Sequence, residues 1–114
     1  MSLLDDIAKL QAEVLETADL PPVRASQILV ELTALYFTVT AQLRESEFIY
    51  NVIEAAHTRA EDGIVNRGKA KAKLTEEYQT WRIWRDTERT MLELMRSLKK
   101  YMTVMAEEMR LSGR

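Results

Sequence analysis

Apolar residues recur along this chain at steps of three and four, the period of a helix that buries one side. Leu3, Ile7, Leu10 and Val14 set the pattern, with Leu4 and Leu15 widening the stripe. They predict a first helix over about residues 3–18. Asp19-Leu20-Pro21-Pro22 ends it, because a residue before proline is pushed out of the α region and proline cannot continue a helix. The same prolines suit the opening turn of a second helix, where a missing N–H is harmless.

That second helix is predicted over about 22–61, with Ile28, Leu32, Leu35, Val39, Leu43, Ile49, Ile53, Ala56 and Ala60 as its inner stripe. Tyr36 and Tyr50 lie toward its flanks, and Gln42 and Ser46 make a weak spot in the seam. A helix of about 40 residues is a rod of roughly 60 Å. Such a length belongs to an extended hairpin or a multi-chain coiled bundle. Asp62-Gly63 and Arg67-Gly68 punctuate the turn, with Gly63 a natural left-handed residue after the helix end.

A third helix starts either at Gly68-Lys69 or at Thr75, whose hydroxyl can cap it ahead of Glu76-Glu77. The earlier start is preferred because Lys69-Ala70-Lys71-Ala72-Lys73-Leu74 has high helix propensity throughout, giving a helix over about 69–111. On its wheel Trp81, Trp84, Met91, Met95, Leu98, Met102, Met105 and Met109 share one side. Arg82, Arg85, Arg89, Arg96 and Lys100 fall within a wedge of about 60° on the other.

The fold predicted is all-α: one domain over 1–114, a long antiparallel helical hairpin plus a short N-terminal helix. Unequal helices leave apolar surface at the far end of the hairpin, with Tyr36, Phe37, Met102, Met105 and Met109 as candidates. A second copy of the chain would close it, so a homo-oligomer is expected, with a dimer favoured.

Composition supports helices and narrows the chemistry. The chain has 114 residues, 46% hydrophobic and 30% charged, with three Gly, two Pro and no Cys. Disulfides and thiolate sites are therefore excluded. No run approaches the roughly 18 apolar residues of a membrane span. The acidic start at Asp5-Asp6 lacks the basic opening of a signal peptide, so a cytoplasmic protein without membrane contact is expected. Net charge is −2, split between −5 over residues 1–50 and +3 over residues 51–114. Such asymmetry fits complementary faces pairing within a bundle, and also self-association or a polyanionic partner.

Two constellations carry possible chemistry. The cationic ridge of Arg82, Arg85, Arg89, Arg96 and Lys100, with Lys69, Lys71 and Lys73 upstream, is the residue type that neutralises phosphates. Tyr78 and Trp81 at its edge are the ring type that stacks on single-stranded bases. Asp86 and Glu93 stand at salt-bridge spacing within the ridge, so a locally paired solvent face is the competing reading. The second is Glu54-Ala55-Ala56-His57, a Glu-x-x-His that puts both side chains on one helix face, as in bundles holding two metals. His57 is the only histidine, so a metal site would need two chains and further carboxylates such as Glu88 or Glu93. A lone His along an apolar stripe otherwise belongs to the core. The Met series on the third helix is read as core or self-interface in preference to an adaptable docking surface.

Enzyme signatures are absent: there is no Gly-rich phosphate loop, no Gly-x-Ser-x-Gly and no His-Glu-x-x-His. Glu76-Glu77 and Glu107-Glu108 stand without the wider carboxylate motif of the helical nucleotide pyrophosphohydrolases. No cofactor is expected, and the chain is read as non-catalytic.

Arg59-Ala60-Glu61, Gly68-Lys69, Glu77-Tyr78-x-x-Trp81, the run from Leu94 to Lys100 and Glu107-Glu108 resemble small helical proteins encoded by bacteriophages. The resemblance covers about half the chain and departs from the pattern at Ala70, where a capping Ser is expected. It implies an accessory role beside replication or recombination, with nucleic acid or a protein of those processes as partner. It assigns no functional residue.

Overall fold

A computed structural model describes residues 2–113, and within them the regular structure is entirely helical. The order is α1 (Leu3–Glu16), α2 (Pro22–Ala60), α3 (Val65–Ala72) and α4 (Glu76–Ser112). The long helices α2 and α4 pack against each other. Contacts group into two compact units, one built from residues up to Phe37 and from Arg89 on, the other from Thr38–Glu88.

In the first unit the Ser2 hydroxyl accepts from the Asp5 N–H while the Asp5 carboxylate accepts from Ser2, a reciprocal cap that fixes the start of α1. α1 ends at Glu16, two residues earlier than its pattern suggested, as Thr17 turns to an extended conformation. Ile7 and Leu10 are buried, but Leu4 and Leu15 are exposed and do not widen the stripe. Ala25, Ile28 and Leu32 of α2, Met91, Leu94 and Leu98 of α4, and Leu20 from the α1–α2 connection are all buried in this unit. Leu94 stands outside the Trp/Met stripe, so the buried side of α4 is turned toward it.

In the second unit Val39, Ser46 and Tyr50 of α2 are buried. The expected stripe through Ile49, Ala56 and Ala60 is not the inner one; all three are exposed. Ala25, Ile28, Leu32, Val39, Ser46 and Tyr50 stay within about 60° of one another at 100° per residue, whereas Ile49, Ala56 and Ala60 of the expected stripe stand roughly 70–110° away from that seam. Ser46 does sit in the core, its hydroxyl donating to the Leu43 carbonyl at 3.0 Å. Gln42 is exposed.

The turn after α2 uses Asp62 as well as Gly63. Asp62 (φ 55°) and Gly63 (φ 78°) both take positive φ. The Gly63 N–H bonds the Thr58 carbonyl at 2.9 Å and the Asp62 N–H the Arg59 carbonyl at 3.2 Å. This is the two-bond helix stop in which Asp62, not Gly63, is the first residue past the cap. The predicted third helix is two helices: α3 stops at Ala72, and Lys73–Thr75 form a turn. Thr75 Oγ1 donates to the Ala72 carbonyl at 2.6 Å and accepts from the Tyr78 N–H at 3.3 Å. It thereby closes one helix and opens the next, so the later of the two starts is the start of α4.

Candidate functional site

The proposed cations fall in both units and differ in their partners. In the second unit Lys69, Lys71 and Lys73 lie on and just after α3, all exposed. Lys71 pairs with Glu61. Lys69 and Lys73 form no ion pair among the described residues. Arg82 approaches Asp86 at 3.9 Å, the pairing four residues apart that the sequence suggested. Arg85 is half-buried rather than part of an open ridge; it lies 4.9 Å over the Trp81 ring and 3.7 Å from the Asp86 carboxylate. In the first unit Arg89, Arg96 and Lys100 are exposed along α4.

The neighbouring aromatics are not open platforms. Tyr50 stacks on Trp81 with centroids 5.0 Å apart and planes within 5°. Tyr78 closes the cluster at 5.4 Å from Tyr50 and 5.9 Å from Trp81. With Arg85 also over Trp81, these rings serve the second unit's interior. Burial pushes the Tyr50 phenol up to about 12, reinforced by its hydrogen bond to Glu54 and by the charge there.

Glu54 and His57 are both half-buried on α2. Glu54 lies close enough to the Tyr50 phenol to help raise its pKa. No group of three or more His, Cys, Asp or Glu that could hold a metal exists among the described residues, so Glu88 and Glu93 do not complete a set with them.

Two features escaped the sequence pattern. The first is a groove of about 520 Å³ between α1 and α2, lined by Asp6, Lys9, Leu10, Glu13, Arg24 and Glu31 among others. Arg24 holds Glu13 through two bonds, with Nη2 at 2.6 Å from Oε1, and reaches Glu31 at 3.7 Å. The bond from Arg24 holds the Glu13 carboxyl below the usual carboxylate range, with burial opposing it. Arg24, Glu13 and Glu31 thus spend their charges on each other, and the Arg24–Glu13 pair holds α1 to α2.

The second is a second apolar face on α2. Val23, Val30, Phe37, Phe48 and Val52 are 71%, 67%, 70%, 70% and 50% exposed. At 100° per residue they lie within about 60° of one another and about 180° from the buried seam. Around Val30 and Phe37 the surface forms a shallow depression with Leu29, Thr33 and Ala34. The signal was in the sequence, as apolar residues seven apart from Val23, but a helix apolar on opposite sides hides each face behind the other.

No protein-family model, curated protein or solved structure matches the chain. Among the described residues no helix is long and apolar enough to cross a membrane.

Proposed function

We propose that this protein is a non-catalytic helical interaction module, cytoplasmic, which works by docking through the outer face of α2. The carrying observation is that this face exposes five large apolar side chains along one side of a helix whose opposite side is already used as core. Isolated surface apolar residues are ordinary; an aligned set marks an interaction surface. Self-association belongs to this reading, in keeping with the dimer expected from the unequal helices. So does a phage-type accessory role beside replication or recombination.

The test compares the natural chain with a Phe37→Glu/Phe48→Glu variant for binding of an apolar fluorescent dye and for molar mass in solution. The natural chain should bind dye or form complexes, and the variant should do neither while keeping its helical circular dichroism. A dark, monomeric natural chain refutes the reading.

Polyanion binding is a second reading, favoured by Lys69 and Lys73, exposed and without ion pairs among the described residues in the second unit. In the first unit Arg96 and Lys100 have the same character. Fluorescence anisotropy of labelled single-stranded DNA should then fall steeply with salt and be lost in Lys69→Glu/Lys73→Glu. Salt-insensitive or absent binding dismisses it.

A further inference from the structure

The outer face of α2 is built to receive itself. Between Val23 and Ala55 the positions within about 35° of its centre are Val23, Val30, Ala34, Phe37, Ala41, Phe48, Val52 and Ala55. All eight are exposed and none is polar. Six of the eight are mirrored about position 39: Val23, Val30 and Phe37 stand as far before it as Ala55, Phe48 and Ala41 stand after it, while Ala34 and Val52 fall opposite Arg44 and Ser26. A two-fold interface requires that if one residue meets another, the second meets the first, and an antiparallel helix pair centred at position 39 satisfies this.

We infer that α2 pairs antiparallel with α2 of a second copy of this chain, centred on position 39 and sealed by this face. This rests on the docking reading above and names its occupant. In that register Val23 meets Ala55 of the second copy, Val30 meets its Phe48, and Phe37 meets its Ala41. Large side chains oppose small or medium ones, the condition for interdigitation.

Charge selects the same direction. A parallel two-fold pair would set Arg44 against its own copy and Glu45 against its own copy. The antiparallel pair sets Arg44 level with Ala34 and Glu45 level with Thr33 of the other chain, and leaves Glu31 level with Glu47 as its one like-charge match. The area is sufficient: five large side chains half to three-quarters exposed offer on the order of 600 Å² per copy, and the pair about 1,200 Å², the low end for a stable specific interface. A lipid surface fits less well, since the one cation bordering the face, Arg44, stands against Glu31 and Glu45, and Arg24 is engaged with Glu13.

Sedimentation velocity of the full chain across the micromolar range should give twice the 13.2 kDa chain mass. Phe37→Glu/Phe48→Glu should give a monomer of unchanged helicity. Register is read by disulfides, because the chain has no cysteine of its own. A mixture of Val30→Cys and Phe48→Cys chains should oxidise to a covalent heterodimer, whereas each alone should not. In this register residue 30 and its own copy lie about 27 Å apart, far beyond disulfide reach. A dimer that survives the double Glu variant, or Val30→Cys chains that cross-link among themselves, overturns the pairing. A monomer that binds apolar dye, or anionic vesicles, through Phe37 and Phe48 also overturns it while leaving the docking face standing. A monomer that binds neither removes both.

Discussion

The phenolic hydroxyl of Tyr101 donates to the backbone carbonyl of Leu20, 81 residues earlier in the chain. Leu20 is buried in the connection that the double proline forces between α1 and α2, so this bond ties the far part of α4 to that bend. Removing the donor leaves a part-buried carbonyl without it. Tyr101→Phe is therefore expected to cost about 1–2 kcal/mol, the penalty for an unmet buried acceptor. A lower urea midpoint with unchanged slope and helicity is the expected result. An unchanged midpoint would show that water replaces the phenol at no cost.

At the end of α2 the first residue past the cap is Asp62, a side-chain-bearing residue in the left-handed region. Asp62→Gly should stabilise by about 0.5–1 kcal/mol, since glycine holds this conformation without a Cβ clash. Gly63→Ala has open space around its Cβ, yet should destabilise by about 1 kcal/mol because its φ is also positive. Thermal denaturation of the two variants should move in opposite directions. Movement in the same direction would mean that the stop relaxes to another turn.

Tyr50 sets an alkaline limit. Its phenol is raised from an ordinary 10.0 to about 12, first by burial and then by Glu54. A group whose folded value is raised holds its proton more tightly in the folded state. Its contribution is complete below the unfolded value and is lost as pH rises through the folded one. Between pH 10 and 12 the chain should lose on the order of 2 kcal/mol through this group. Tyr50→Phe should flatten that part of the stability–pH curve measured by denaturant titration. A natural chain already flat there would mean that the phenol ionises without opening the cluster.

Much of this architecture was readable in advance because its causes are local. Pro21-Pro22 separates α1 from α2, the spacing of Ile28, Leu32 and Val39 marks the seam, and Ser46 stands where a polar residue interrupts it. What was missed has separate causes, some local and some joining distant parts of the chain. The run from Lys69 to Leu74 has helix propensity throughout, yet Lys73–Thr75 turn, with the Thr75 hydroxyl bonded on both sides. The seam beyond Leu43 departs from the expected stripe because packing buries Ser46 and Tyr50, the latter stacked on Trp81 of α4, in place of the more apolar Ile49 and Ala56. Of the candidate cations, the Arg82–Asp86 approach was legible from spacing. The Arg85–Trp81 contact and the engagement of Trp81 by Tyr50 were not, since the latter joins two helices.

Acid should loosen the attachment of α1. The Glu13 carboxyl is held below its ordinary range mainly by the hydrogen bond from Arg24. A lowered folded value gives stability that is present above the unfolded carboxylate range and is lost as pH falls through the folded one. Hydrogen exchange in residues 3–16 should accelerate on acidification in the natural chain. In Glu13→Gln it should already be faster at neutral pH and respond less to acid. Equal acid responses in the two chains would move the cause to other carboxylates.

Gly68 is where α3 touches α2, and the contact is too close for any side chain. A Cβ built on Gly68 would stand 2.2 Å from Thr58 Oγ1, 2.5 Å from its Cα and 2.7 Å from its backbone nitrogen. The hydroxyl could rotate away, but the backbone atoms cannot, so α3 must shift as a body. Gly68 has no positive φ, which separates this demand for space from the conformational demand at Gly63. Helix propensity alone favours alanine over glycine by about 1 kcal/mol, so an unpacked α3 would gain from Gly68→Ala. Overpacking opposes that gain with a cost of about 1–3 kcal/mol. The expected outcome is net destabilisation, with faster amide exchange confined to residues 65–72 and to the α2 end around Thr58. Greater stability in Gly68→Ala would show that α3 does not rest on Thr58 in solution. Thr58→Ala combined with Gly68→Ala should relieve little, because two of the three close atoms belong to the Thr58 backbone.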